Sequence, residues 1–267
     1  MPFPFQTTDI RGELIVLGTG TSVGVPVVGC GCATCRSTNP KNQRTRCSIV
    51  LGLPDGNLLV DTTPDLRMQF LREKIGIAHS ILYTHDHADH VFGLDDVRLF
   101  PFVLGHPLPV YCEEHVEARI TKSFDYAFLP EMQNYAGGVP QLELRRIGLE
   151  PFEVLGAPVV PFRLNHGRFK VLGFRFGDIA YCTDTNGIPP ESLPALYDLD
   201  ILILDALRDR PHVTHFSIDQ AVDVALQIGA HRTYFTHMSH ELEHDATNAK
   251  LPPGMELAYD GLRLRLG

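Results

Sequence analysis

Four candidate metal ligands, His85, His87, Asp89 and His90, lie within residues 85–90, whose sequence is HDHADH. They follow a short apolar run that is typical of a buried strand. In an extended chain residues i and i+2 point the same way, so His85 and His87 could bind one ion. If the chain then turns into a helix, Asp89 and His90 reach a neighbouring position. The spacing therefore predicts two adjacent metal ions rather than one.

Three cysteines form a second candidate metal site. Cys30, Cys32 and Cys35 have the spacing C-x-C-x-x-C in a glycine-rich loop. No export signal is evident in the first residues, so we do not expect a disulfide framework. A fourth cysteine or histidine is missing from the loop, and a zinc site there needs a ligand from elsewhere in the chain. The other cysteines lie in or beside apolar runs, where they would pack as small hydrophobic residues.

The elements that must position these side chains can be read from short apolar runs rich in β-branched residues. Each run is bounded by Gly, Pro, Asp or Asn and predicts a strand. The runs cover residues 14–17, 49–51, 58–60, 81–83, 159–164, 179–182, 201–204 and 232–236. Strands that are apolar on both sides are typical of sheets covered on both faces, so we expect helices outside two packed sheets. The loops at one edge of the sheets would carry the chemistry.

Helical spacing occurs in fewer places. It predicts a helix over residues 64–74, with Thr63 as N-cap and Pro64 as the first helical residue. It predicts another over residues 217–228, with Ser217 as N-cap. Less regular helical spacing occurs over two further segments, residues 113–124 and 241–250.

The composition is that of a globular protein. Hydrophobic residues make up 44% of the 267 residues and charged residues 21%, which excludes general disorder. The absence of a linker or repeat predicts a single domain, residues 1–267. The net charge of −9 weighs against a nucleic-acid partner, and no apolar run approaches the roughly 18 residues that span a membrane. We expect a cytoplasmic location, and the sequence leaves a homodimer open.

Residues 84–90 resemble the T-H-x-H-x-D-H signature of the metallo-β-lactamase superfamily, in which single ligands follow far downstream. His166, Asp184 and His237 match these later positions, and each lies just past a predicted strand. The resemblance covers most of the chain. It implies an α/β fold, the four-layer αβ/βα sandwich of two similar halves.

The resemblance also implies two ligand sets that share one carboxylate. One ion would be bound by His85, His87 and His166, the other by Asp89, His90 and His237, and Asp184 would bridge both. By analogy, Asp61 would orient a ligand imidazole through a hydrogen bond. Five imidazoles and two carboxylates suit two divalent ions, Zn²⁺ or Mn²⁺. Two such ions roughly 3.5–4 Å apart can share a hydroxide and stabilise charge on a phosphoryl or acyl oxygen, which is the chemistry of a hydrolase.

The cysteine loop resembles the opening of one branch of that superfamily, a phosphodiesterase that opens ribosyl cyclic phosphates. The shared pattern runs from residues 18–20 (GTG) through residues 25–26 (VP) to Cys35. In that branch the three thiolates bind one structural zinc ion together with a histidine three residues after the last active-site histidine. Here that histidine is His240. A Cys₃His site has no open coordination position, so we expect it to stabilise the fold.

A departing alkoxide needs a proton, and His215 is the candidate donor. It precedes the predicted helix that begins near Ser217 and resembles the proposed general acid of the phosphodiesterase and transfer-RNA 3′-processing branches. Asp205 could orient His215 and hold it protonated. His212 is the competing candidate. Three arginines could bind a phosphate: Arg168, Arg208 and Arg210.

The resemblance implies a metal-dependent phosphodiesterase in which a metal-bridging hydroxide hydrolyses a small cyclic phosphate or nucleotide-like diester. A transfer-RNA 3′-processing-type endonuclease is one alternative, but its basic arm is not evident and the chain is acidic. A non-hydrolytic protein like the pyrroloquinoline-quinone biosynthesis member is another, and the intact ligand set argues against it. A β-lactamase or thioesterase is disfavoured because a proton donor beside Asp184 suits the departure of an alkoxide from phosphorus.

Overall fold

The computed structural model describes residues 5–129 and 138–267, which form two seven-stranded sheets. The first sheet consists of β1 (Glu13–Gly18), β2 (Ser48–Leu53), β3 (Gly56–Val60), β4 (Ser80–Leu82), β5 (Leu108–Cys112), β6 (Leu142–Arg146) and β14 (Arg263–Arg265). The second sheet consists of β7 (Phe152–Val154), β8 (Ala157–His166), β9 (Phe169–Phe176), β10 (Ile179–Cys182), β11 (Ile201–Asp205), β12 (Arg232–Thr236) and β13 (Met255–Leu257).

The two sheets have similar topologies. The first has the order β14-β1-β2-β3-β4-β5-β6, and the second has the order β13-β12-β11-β10-β9-β8-β7. Each combines antiparallel pairs, such as β1 with β2 and β8 with β9, with a run of parallel strands, β3 to β6 and β10 to β13. The expected sandwich of two similar halves is confirmed. All eight predicted strands are present, with small differences at their ends.

The helices lie between and after the strands. They are α1 (Leu66–Glu73), α2 (Ala88–Val91), α3 (Phe100–Leu104), α4 (Glu114–Ser123), α5 (Ile218–Ile228) and α6 (His244–Asn248). The predicted N-cap of α5, Ser217, is present and forms a capping box in which Ser217 and Gln220 exchange hydrogen bonds. The predicted start of α1 was wrong by two residues. The N-cap is Asp65 rather than Thr63, because the carbonyl of Thr63 accepts from the N–H of Leu66 and forms a turn at Pro64 before the helix begins.

Alternate residues of each strand pack into different cores, and this produces four layers. Ile15 and Leu17 of β1 pack with α1 and α4 on the outer face of the first sheet. Leu14 and Val16 point the other way, into a core shared by the two sheets. A third core lies between the outer face of the second sheet and α5. Within the described ranges, no helix has the length and apolar character needed to cross a membrane.

Five strands of the two sheets end at the same edge. The parallel strands β3 and β4 carry Asp61 and His85 just past their carboxyl ends, and the parallel strands β10 to β12 carry Asp184, Asp205 and His237 at theirs. The two sheets are hydrogen-bonded to each other there: the N–H of Leu172 in β9 donates to the carbonyl of Thr84, just past β4, at 3.0 Å. Side chains far apart in sequence therefore meet at one edge of the sandwich.

Candidate metal centre

Three of the central side chains follow strands in an unusual backbone conformation. Asp61, Asp184 and His237 have φ values of 64°, 51° and 59°. The left-handed region is unfavourable for residues other than glycine and is often found at functional sites. All three residues are buried. At each of these three strand ends the conformation turns the chain sharply.

The first predicted ligand set comes together in space. His85, His87, His166 and Asp184 present candidate ligand atoms that all lie within 4.8 Å of one another. The rings of His85 and His87 are 4.5 Å apart, as expected for residues i and i+2 of an extended segment. His166 is the last residue of β8, and its ring lies 5.0 Å from that of His87.

The second predicted ligand set also comes together and shares Asp184 with the first. Asp89, His90, Asp184 and His237 lie within the same limit of 4.8 Å. The short helix α2 begins at Ala88 and carries Asp89 and His90, and the ring of His90 lies 4.2 Å from that of His85 in the first set. One oxygen of Asp184 lies 3.2 Å from Nε2 of His90, and the other lies 3.3 Å from Nε2 of His237 and 3.7 Å from Nε2 of His85.

The polar atoms of these residues fit a pair of divalent cations. Nε2 of His85, His90 and His237 is buried, and among the described residues it has no hydrogen-bond partner. A buried polar atom without a partner costs about 1–3 kcal/mol, and metal ions coordinated by these three nitrogens and the neighbouring carboxylates would satisfy them. The predicted cofactors of the centre, two Zn²⁺ or Mn²⁺ ions, therefore match both the donor set and its unpartnered atoms.

In His85, His90 and His166 the other ring nitrogen, Nδ1, is hydrogen-bonded, which orients Nε2, whereas Nδ1 of His237 has no hydrogen-bond partner among the described residues. Nδ1 of His90 lies 2.8 Å from Oδ2 of Asp61, which is the orienting role predicted for that carboxylate. Asp61 also accepts from the N–H and hydroxyl of Thr84, and that hydroxyl lies 2.9 Å from Nδ1 of His85. Nδ1 of His166 donates to the carbonyl of Thr214 at 2.9 Å. Such partners fix the tautomer and the direction of a ligand imidazole.

His215 lies beside both ligand sets and is bound by a carboxylate. Its Nδ1 is 2.6 Å from Oδ2 of Asp205, which is fully buried at the end of β11. Its ring stacks on His237 at 4.5 Å and lies 4.8 Å from the ring of His166. Burial opposes the charge on His215, but Asp205 outweighs it and raises the pKa of His215 to about 9. The competing residue His212 has its pKa lowered by burial and by nearby positive charge.

The cysteine loop comes together with His240. Nδ1 of His240 lies 3.2 Å from the sulfur of Cys30, 3.6 Å from that of Cys32 and 3.5 Å from that of Cys35. The main-chain N–H of Cys35 bonds to the Cys32 sulfur and helps lower the Cys32 pKa to about 7, which favours the thiolate that binds metal. Four converging soft donors fit the predicted structural Zn²⁺.

Some important residues were not singled out from the sequence. Thr84 belongs to the signature, but its link between Asp61 and His85 needs the fold. Arg44 is buried and donates to the carbonyls of Ser239 and Leu242, on both sides of His240. Nothing in its sequence neighbourhood indicates that role. The Thr214 carbonyl is a main-chain group, and its direction cannot be read from residue type.

The three candidate phosphate-binding arginines differ in their surroundings. The guanidinium of Arg210 lies 2.9 Å from a carboxylate oxygen of Glu241, and that of Arg208 lies 4.0 Å from the same oxygen. Arg168 is exposed and packs over the ring of Phe169. Among the described residues, Arg168 makes no ion pair.

Comparison with known proteins gives a family match over more than half of the chain. The model of the β-lactamase superfamily domain matches residues 56–238. A solved structure described as a new diphosphatase from the PhnP family is 45% identical, covers 96% of this chain and 98% of its own, and has a TM-score of 0.89.

Curated relatives match over part of their length. A protein of Porphyromonas gingivalis named octanoyltransferase is 38% identical over 93% of this chain and 50% of its own length. Coenzyme PQQ synthesis protein B of Methylorubrum populi is 30% identical over 41% of this chain and 40% of its own. The chain thus spans half or less of the length of these curated relatives. The family match and the solved PhnP-family structure agree with the sequence signature, and the chain belongs to the metallo-β-lactamase superfamily.

Proposed function

We propose that this chain is a metal-dependent phosphodiesterase that hydrolyses a small cyclic phosphate or a nucleotide-like phosphodiester. One observation carries the proposal: a histidine held by a buried carboxylate, His215 with Asp205, faces two ligand sets that share Asp184. A proton donor at that place suits a reaction in which an alkoxide departs. The PhnP-family diphosphatase, 45% identical, supports chemistry at phosphorus.

The ligand sets define what the chain's own residues would do. His85, His87 and His166 would hold one cation, Asp89, His90 and His237 the other, and Asp184 both. Two divalent cations in such a site supply positive charge against a phosphoryl group and activate water. The protein supplies imidazoles whose direction is set by Asp61, Thr84 and the Thr214 carbonyl.

His215 would transfer its proton from Nε2 to the leaving oxygen of the substrate. Its Nδ1 is bound to Asp205, so the nitrogen free to act is the other one. The Asp205 carboxylate stabilises the imidazolium before transfer, and the stacked ring of His237 limits rotation. The substrate proposal therefore favours diesters with poor, alkoxide leaving groups, whose departure depends on protonation.

Cleavage of a diphosphate is a second candidate function. It is favoured by the PhnP-family structure, which is described as a diphosphatase. A phosphate is a weaker base than an alkoxide and departs with less help from a proton donor. The two candidates therefore differ in how strongly turnover should depend on His215.

The endonuclease and the non-hydrolytic protein considered from the sequence have less support. Among the described residues, the clusters at the candidate centre consist of aspartates and histidines, which do not form the basic surface that binds RNA. The sequence match to coenzyme PQQ synthesis protein B covers 41% of the chain, and the solved structure of Zn²⁺-bound PqqB, which is 20% identical over 95% of the chain, supports the same fold and not the same role. The complete ligand geometry favours a hydrolytic site over a site without catalysis.

The direct test is turnover by purified, metal-loaded protein on a panel of substrates. The panel holds a bis-aryl phosphodiester, cyclic nucleotides, a ribosyl cyclic phosphate, a diphosphate, an RNA precursor, a thioester and a β-lactam. His87→Ala and Asp184→Ala should abolish phosphodiester turnover while the far-UV circular dichroism is unchanged. His115→Ala, on the exposed side of α4, is the matched control. Undiminished turnover in Asp184→Ala would refute the proposed metal centre.

A further inference from the structure

The hairpin between β8 and β9 places an exposed aromatic ring at the rim of the candidate metal centre. Phe169 is 49% exposed, and its ring lies 6.1 Å from the ring of His87 with the two planes at 87°. A single exposed apolar side chain is ordinary on a protein surface. This one contacts a candidate ligand, so any substrate bound at the centre lies within its reach.

The backbone of the hairpin is fixed by contacts on both sides of the turn that carries Phe169. Phe169 pairs with the ligand His166 across the hairpin. Between them Gly167 has a φ of 61°, and its N–H donates to the side chain of Asn186 at 2.9 Å. A Cβ on Gly167 would lie 2.7 Å from Cγ2 of Thr214, so glycine is needed for this close approach. A rigid aromatic ring loses little entropy when another ring stacks on it.

A cation lies over the exposed ring. The guanidinium of Arg168 is 4.9 Å from the centroid of the Phe169 ring, and Arg168 lies on the exposed turn that precedes β9. Arg208 and Arg210 both approach Glu241, whereas no carboxylate lies within ion-pair distance of Arg168 among the described residues. In a chain with a net charge of −9, this turn combines a stacking surface with local positive charge. That combination recognises a planar base attached to a phosphate.

We infer that the substrate carries a nucleobase, that the base stacks on Phe169, and that Arg168 contacts a phosphate of the same nucleotide. The inference rests on the proposed function, since it takes a phosphodiester at the metal centre as given. A single nucleotide is the favoured occupant rather than an RNA strand, because the acidic chain would repel a long phosphate backbone.

The test compares substrates that differ only in the base. Adenosine 2′,3′-cyclic phosphate and the base-free ribose 2,3-cyclic phosphate are assayed with wild type, Phe169→Ala, Phe169→Tyr and Arg168→Ala. Phe169→Ala should lower kcat/KM about tenfold for the adenosine substrate, mainly through KM, and leave the base-free substrate unchanged. Phe169→Tyr should retain the wild-type preference. Arg168→Ala should lower kcat/KM for both substrates by the same factor, because both carry the phosphate.

Binding gives a readout that does not require turnover. Calorimetry with AMP and ribose 5-phosphate should show tighter binding of AMP, and Phe169→Ala should remove the difference. Phe102→Ala is the matched control, because Phe102 is 40% exposed on α3 and belongs to no ligand set.

Several outcomes would overturn the inference. Equal losses on both cyclic phosphates in Phe169→Ala would mean that the ring only supports His87. Equal binding of AMP and ribose 5-phosphate by wild type, or preferred cleavage of an RNA strand, would also refute it. If wild type binds AMP through Phe169 but hydrolyses no diester, the inference holds and the proposed function fails.

Discussion

His215 belongs to neither predicted ligand set, and its Nδ1 is bound to the buried carboxylate of Asp205. The hydrogen bond to Asp205 is 2.6 Å long, and the pKa of His215 is raised to about 9. A general acid matters in proportion to the basicity of the leaving group. The role of His215 can therefore be separated from metal binding by the choice of substrate.

Replacement of His215 by alanine should lower kcat on a diester with an alkoxide leaving group about 10²- to 10⁴-fold. On a p-nitrophenyl diester the loss should be far smaller, because that leaving group departs as a stable anion. Steady-state kinetics on the two substrates measure the difference. His212→Ala is the control and should leave the ratio of the two rates unchanged. Equal losses on both substrates would assign His215 to structure rather than to proton transfer.

Asp61 tests whether the orienting hydrogen bond to His90 matters for metal binding. Asp61→Asn is the suitable change, because asparagine tolerates the φ of 64° at this position better than alanine does. Removing the charge should weaken metal affinity about 10- to 100-fold. Competition with a fluorescent chelator measures that affinity. Asp86→Asn, within the same motif but paired with Arg119, should bind metal normally. Normal affinity in Asp61→Asn would contradict the orienting role.

The segment that follows β1 and leads to the cysteine loop is hydrogen-bonded to the segment that follows β12. The N–H of Met238 donates to the carbonyl of Thr19 at 2.8 Å, and the N–H of Thr21 donates back to the carbonyl of Met238 at 3.1 Å. Met238 lies between the candidate ligands His237 and His240. A zinc ion bound by the cysteines and His240 would therefore hold the loop next to His237 of the candidate metal centre.

Cys32→Ser should remove about one equivalent of zinc and lower Tm, by about 2–4 °C for each kcal/mol lost. Metal analysis and a thermal melt are the measurements. Cys112→Ser is the control for the metal count, since Cys112 is buried in β5 away from His240. An unchanged zinc content in Cys32→Ser would refute the structural site.

The strands that could be predicted from the sequence have few exposed residues. Central strands such as β11, buried at every residue, were found because an unbroken apolar run is a strong signal. The edge strand β6 was missed because its side chains are largely exposed. The strand β9 was missed although it contributes Phe169. Its Gly173 is usually unfavourable in a strand, but here the ring of Phe162 packs where a side chain would lie.

At the scale of the whole molecule, the candidate ligands and their carboxylate partners could be predicted, whereas their contacts with main-chain groups could not. The types and spacing of the histidines carry the chemistry, whereas the bond from His166 to the Thr214 carbonyl depends on two loops meeting in space. The same holds for Arg44, whose partners follow it by almost 200 residues. That all 267 residues form one domain stays a prediction, and so do the cytoplasmic location and the oligomeric state.

The sheets should remain folded when the active-site metals are removed. A continuous core between the sheets, including Phe174 and Tyr181, does not depend on the ligand residues. Metal that binds only the folded chain stabilises it by about 2.7 kcal/mol at a free concentration one hundred times Kd. We therefore expect Tm to rise with added Zn²⁺ or Mn²⁺ in chelator-treated wild type, with unchanged far-UV circular dichroism.

In the same experiment, Asp184→Ala distinguishes the rise in Tm due to the candidate metal centre from the rise due to the cysteine site. Its carboxylate belongs to both ligand sets, so its loss should remove most of the metal-dependent rise in Tm. The remaining rise would come from the cysteine site, which Asp184 does not contact, and Cys32→Ser should remove that part. The two effects should add, because the sites share no ligand. A Tm that does not respond to metal in wild type, or a chelator-treated protein without sheet structure, would contradict a preformed centre on a stable sandwich.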